Sequence, residues 1–169
     1  MSNIIFAQYD ISSPIGERWG RNHNGIDFAV PLNTEVQTVT GGTVTFTGYD
    51  ADGYGNYIRV ADYNGNIHTY AHLNSITTAP GETVNPGEVI GLSGNTGRST
   101  GAHVHYEVRD YSGAVLDGMG FINQYQTGTA TGTLTGGGSV TSAIAKIVTA
   151  IVLIVLAGLS CVFLTKSFS

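Results

Sequence analysis

Between residues 103 and 109 polar and apolar positions alternate without a break. Val104, Tyr106 and Val108 fall on one side of an extended chain, and His103, His105, Glu107 and Arg109 on the other. The same two-residue period marks much of residues 1–125. "TEVQTVTGGTVTFTGYD" reads as two strands joined at Gly41-Gly42. "GNYIRVADYNGNIHTYAHL" reads as two more that turn at Asn64-Gly65, with His72 closing the second. "ETVNPGEVIGLSG" sets a turn at Pro86-Gly87 ahead of a short apolar strand. No stretch of this region sustains a helical period. Residues 1–125 are therefore expected to form a mainly β domain, a compact antiparallel β-sheet or sandwich of hairpins.

Two further patterns follow. Residues 126–142, "QTGTATGTLTGGGSVTS", carry no charge and almost only Gly, Thr and Ser. They offer too little apolar surface to offset the entropy of ordering and read as a flexible linker, with a threonine-rich edge strand as the alternative. Residues 147–164 hold no charged side chain over 18 positions. A helix there would be roughly 27 Å long, close to the thickness of a bilayer's hydrocarbon core. Lys146 and Lys166 bracket it, placed to reach the two interfaces. A C-terminal transmembrane helix is expected over 143–166, followed by a short tail at 167–169. One lysine at each end gives it no orientation. The opening "MSNIIFAQYD" has neither a basic start nor a long apolar core, so it does not read as a secretory leader.

Charge narrows the class of partner. All twelve acidic residues lie before residue 118, against five arginines and no lysine there. An acidic body without a basic cluster argues against nucleic acid. Cys161 is the sole cysteine, so no intramolecular disulfide can form, and it sits inside the apolar run.

The chemistry gathers in the histidines. His68 reads as a satisfied polar residue of a β domain. "HNGID" places His23 and Asp27 around Gly25, where a flexible backbone would let an imidazole and a carboxylate converge. His103 and His105 project from one strand face, so one can bind a metal while the other reaches a group beside it. The alternative for this pair is a polar, solvent-facing strand. His72 ends "TYAH". Three ligands and one open position would make a catalytic rather than a structural zinc site.

In these stretches the chain resembles the lysostaphin-type zinc peptidases, the M23 or LytM-like group of peptidoglycan hydrolases. The similar segments are "HNGIDFAVPLNTEV", "GGTVTFTG", "GNYIRVADYNGNIHTYAHL", "VNPGEVIGLSGNTG" and "STGAHVHYEVR", in order over roughly residues 18–110. The resemblance implies a β fold with its site in a groove across the sheet. It implies one Zn2+ per chain held by His23, Asp27 and His105, with His72 and His103 as the catalytic histidines. One of these two would take a proton from water, and the other would serve the oxyanion or the leaving amine; the sequence does not say which. None of the five is replaced, unlike in degenerate members that lack metal ligands. Tyr54 of "DGYGN" is a candidate to lend a phenol to the oxyanion. Glu107 and Arg109 read either as supports of the histidines or as a surface ion pair, and Asn22 and Asn24 as loop-shaping residues.

The implied activity is zinc-dependent cleavage of a peptide in bacterial cell wall, either a stem-peptide cross-link or a glycine-containing bridge. Two other classes stand beside it: a non-catalytic wall-binding anchor, and a structural membrane protein on the same scaffold. An anchor without a leader leaves the domain on the wrong side of the membrane from the wall. Either the lipid membrane of a bacteriophage virion carries the enzyme to the wall at entry, or the helix itself directs export into the host envelope.

Overall fold

The computed structural model describes residues 4–127, except Trp19 and the side chains of Arg18 and Arg21. Of the linker expected at 126–142, Gln126 instead ends a helix and Thr127 caps it; residues 128–142 and the whole 143–166 span lie outside the described residues. Among the described residues no helix is long and apolar enough to cross a membrane.

After a short 3₁₀ turn at Phe6–Gln8 come β1 (Ile11–Ser13), β2 (Gly16–Arg18), β3 (Arg21–His23), β4 (Ile26–Phe28) and β5 (Glu35–Gln37). Then follow β6 (Gly42–Asp50), β7 (Gly55–Asp62), β8 (Ile67–Ile76), β9 (Thr83–Val84), β10 (Val89–Ser93), β11 (Val104–Arg109) and β12 (Val115–Leu116). The chain closes this region with α1 (Gly118–Gln126). Ten of the strands form one antiparallel sheet, with the path β1-β4-β11-β8-β7-β6-β9. β10 bridges β5 and β8, β12 pairs with β11, and β2 and β3 form a separate ribbon.

The strict alternation of β11 sorts its side chains as the sequence implied. Val104, Tyr106 and Val108 are fully buried in the core. Their neighbours are Tyr70, Phe6 and Phe28, whose rings meet edge-on or tilted, with centroids 5.2–6.2 Å apart. The buried phenols find partners. Tyr70 Oη accepts the Val39 N–H at 2.8 Å, and Tyr106 Oη lies 2.8 Å from His68 Nδ1. His68 is thus the satisfied core residue expected of it.

Three expectations are corrected. Gly41-Gly42 is no hairpin, because β5 pairs with β10 while β6 pairs with β7 and β9. Gly42 is instead a close-approach residue: a Cβ there would stand 2.0 Å from the Ala61 carbonyl oxygen. A helix does occur before residue 127. α1 is nine residues long, capped by the Asp117 carboxylate on the Met119 N–H, and buries Gly118 and Ile122. That is too short an element, with too few core contacts, to sustain a visible period. Finally, β8 does not stop at His72 but continues to Ile76.

Candidate metal centre and groove

β4 and β11 are adjacent, and Asp27 pairs directly with His105. His23 ends β3 and reaches the same point from the side. His23 Nε2, Asp27 Oδ1 and His105 Nδ1 form a triangle with edges of 3.0, 3.1 and 2.8 Å. Donors around a tetrahedral zinc at 2.0–2.1 Å stand about 3.3 Å apart, so this triangle fits such an ion. The rest of each imidazole agrees. The His23 Nδ1–H donates to the Pro14 carbonyl at 2.9 Å. The His105 Nε2–H faces Glu107 Oε2 at 3.4 Å. Each bond holds the ring's proton on the outer nitrogen and leaves the inner lone pair toward the triangle. Among the described residues these three are the one group of histidine and acidic side chains assembled closely enough to hold a metal ion.

The ionisation of the site follows from its burial and its neighbours. His23, Asp27 and His105 are only 9, 6 and 7% exposed. Burial pushes the Asp27 carboxyl up, but the imidazoles of His105 and His23 more than reverse this and hold it well below the usual carboxylate range. Burial disfavours the His105 imidazolium, and the carboxylates of Asp27 and Glu107 outweigh that and raise its pKa. Glu107 is likewise resisted by burial, yet it is held ionised by His105, Arg109 and Tyr54.

His72 and His103 stand beside the triangle with their rings 4.4 Å apart. His72 sits in a bulge of β8, where four residues from Tyr70 to Leu73 face three from Ile58 to Asn56. Its φ is +60°, a left-handed conformation that is uncommon for a residue with a side chain. Its Nδ1–H donates to the Thr96 carbonyl at 2.8 Å. Burial, opposed by that bond and aided by the His103 and His105 charges, brings its pKa down to about 4, so the ring is neutral near pH 7. The His103 Nδ1–H donates to the Gly101 carbonyl at 2.8 Å, and its Nε2 lies 3.8 Å from Asp27 Oδ1. Both rings therefore keep Nε2 as an acceptor.

All five residues named from the sequence meet in one groove of about 990 Å³, which Asn22, Asn24, Tyr54 and Glu107 also line. The Tyr54 hydroxyl donates to Glu107 Oε2 at 2.9 Å, and burial with the Glu107 charge pushes its pKa up to about 12. Glu107 is 3% exposed and supports His105 from within the fold, while the half-exposed Arg109 side chain pairs with it from the rim. The carbonyls of Pro14, Thr96 and Gly101 complete the site. A backbone acceptor leaves no mark on the side-chain pattern, so none of the three was visible in the sequence.

Comparison with known proteins agrees with this geometry. Residues 21–117 match the model of peptidase family M23. The DD-carboxypeptidase/endopeptidase Mpg of Neisseria meningitidis serogroup B is 47% identical over 106 residues, 59% of this chain and 24% of that protein. The peptidoglycan DD-endopeptidase ShyA of Vibrio cholerae is 45% identical over 86 residues, 51% of this chain and 20% of that protein. The chain thus spans about a quarter or less of the length of these relatives. Among solved structures, the catalytic domain of lysostaphin from Staphylococcus simulans superposes with a TM-score of 0.66 at 28% identity, covering 72% of this chain and 98% of that domain. The family model spans more than half of the chain and the sheet superposes on a lysostaphin catalytic domain, so the chain belongs to peptidase family M23.

Proposed function

We propose that this protein is a zinc-dependent endopeptidase that hydrolyses peptide cross-links of bacterial peptidoglycan. The observation that carries the reading is the triangle of His23 Nε2, Asp27 Oδ1 and His105 Nδ1 beside two histidines whose Nδ1 protons are tied to backbone carbonyls. A zinc ion on those three donors would supply Lewis-acid polarisation of the scissile carbonyl and of a water molecule. The chain's own residues do the rest. Nε2 of His72 or His103 takes the proton that the water gives up as it attacks. The same pair then protonates the leaving amine and hydrogen-bonds the developing oxyanion. The groove positions the peptide, and Glu107 fixes the tautomer of His105. Tyr54 steadies Glu107 through its hydroxyl, a support for the site rather than a group aimed at the oxyanion.

We further propose that residues 143–166 anchor the domain to a membrane through the 126–142 linker. Of the two settings that put domain and wall on one side, we favour the membrane of a lipid-containing bacteriophage particle over export directed by the helix into the host envelope. The uncharged run at 147–164 supports the anchor. Mass spectrometry of purified particles against host envelope fractions tests the setting.

The activity is tested by clearing of purified cell walls. The full chain should clear them, a chelator should stop the clearing, and added zinc should restore it. His105→Ala should be inactive. Clearing that ignores both the chelator and the His105 substitution would contradict the metal mechanism, and no clearing at all would leave the binding or structural readings standing instead.

A further inference from the structure

A second concavity of about 580 Å³ adjoins the first, and Glu107 lines both. Its floor is a row of paired residues crossing the sheet: Phe46 on β6 faces Arg59 on β7, Arg59 faces Thr69 on β8, and Thr69 faces Glu107 on β11. Directly paired residues point to the same side of a sheet, so Arg59 shares the face of Glu107 and His105. From strand spacing and rise, it lies roughly 12 Å from the triangle, about three residues of extended peptide.

The charges in this groove are unequal in what they have left to give. Arg109 spends Nε on Glu107 and an Nη on the Gly113 carbonyl. Asp110 is taken up by Ser112 and by the N–H of Ala114. Arg59 pairs with no carboxylate among the described residues. Its guanidinium lies 5.2 Å from the Tyr57 ring centroid and 5.9 Å from that of Phe46, over two rings that stack on each other at 5.1 Å. Contact with the two rings holds the guanidinium over them and leaves its N–H groups for a ligand. A guanidinium with no carboxylate partner among the described residues, on the floor of a concavity that shares Glu107 with the catalytic groove, matches a carboxylate.

We infer that Arg59 is a specificity residue that binds a free carboxylate of the substrate peptide about three residues from the scissile bond. The inference rests on the peptidase reading and deepens it. It selects an acidic stem-peptide cross-link over a glycine bridge, which has no side-chain carboxylate to offer.

The test uses two cross-linked stem peptides that differ only in a glutamyl carboxylate, free in one and amidated in the other. Binding to the full chain is measured with metal removed, and cleavage with zinc present. The wild type should bind and cleave the free-acid peptide about tenfold better than the amide. Arg59→Gln should abolish that preference, and Arg59→Lys, which keeps the charge but not the planar fork, should retain part of it. Equal handling of both peptides by the wild type, or an Arg59→Gln protein that still prefers the acid, overturns the inference. If the preference appears in binding but neither peptide is cut, the subsite stands and the peptidase reading falls. If both peptides are cut without preference, the reverse holds.

Discussion

Gly25 lies directly beneath the His105 imidazole: a Cβ at residue 25 would stand 2.6 Å from Cε1 and Nε2 of that ring, and 2.6 Å from the Tyr106 carbonyl oxygen. The ring is a movable neighbour, but the carbonyl belongs to a central strand and is not. Gly25→Ala should therefore displace His105 from the triangle. The expected result is a loss of about 1–3 kcal/mol in stability, typical of overpacking, together with at least a tenfold fall in zinc affinity. Thermal melts and a competitive zinc titration measure the two separately. Normal affinity at lowered stability would mean that the strand, and not the ring, absorbs the clash.

On the proposed reading the five site residues divide into those that would hold the ion and those that would move protons, and metal content tells them apart. His105→Ala and Asp27→Ala leave two donors, and both proteins should lose zinc on dialysis along with all activity. His72→Ala and His103→Ala leave the triangle whole. They should keep about one zinc per chain while wall clearing falls by 10²-fold or more. A His103→Ala protein that cannot retain zinc would show that this ring is a ligand and not a proton carrier.

Glu107 acts through His105. Its carboxylate faces the Nε2–H at 3.4 Å and so would keep the Nδ1 lone pair free for the proposed ion. In Glu107→Gln the amide can turn its oxygen to His105 or its nitrogen, but the charge that favours one tautomer is gone. Zinc affinity should drop 10- to 100-fold, the usual cost of losing such a support. Tyr54→Phe removes only the 2.9 Å bond to Glu107 and should cost less than Glu107→Gln in the same titration. If Tyr54→Phe instead abolished turnover at full zinc occupancy, the phenol would have to act on the substrate itself.

How far the sequence revealed all this depended on the kind of signal. Side chains alternating on β11 announced both their buried face and their chemical face, because a central strand leaves no other way to satisfy Val104, Tyr106 and Val108. His23, Asp27, His72, His103 and His105 could be named from the resemblance, and the structure brings all five together. What the sequence did not carry was proximity between distant backbones. Gly25 and Gly42 looked like points of bending or turning, yet both make room for a neighbour, Gly25 for an imidazole and Gly42 for a strand carbonyl. The left-handed backbone of His72 arises from a bulge set by pairing on two sides of β8, which no local pattern encodes.

Away from the site, the β7–β8 hairpin gives a pH-dependent prediction. Asp62 accepts the N–H groups of Asn64 and Asn66, each at 2.8 Å, and the Asn66 side-chain amide at 2.8 Å, with His68 Nε2 at 3.4 Å. Burial pushes the carboxyl up, but His68 and these donors more than reverse it, and its pKa falls from an ordinary 3.8 to about 2. A carboxyl with a depressed folded-state pKa binds its proton more readily in the unfolded chain. Its contribution is present in full above about pH 4 and is lost as the pH falls through 3.8 to about 2. The partly buried setting makes that contribution on the order of 1–2 kcal/mol. Denaturant melts at pH 5 and pH 2 should show the wild type losing more stability than Asp62→Asn by about this amount, because the amide has no proton to take up. Equal losses in the two proteins would place the acid sensitivity of the fold in some other carboxylate.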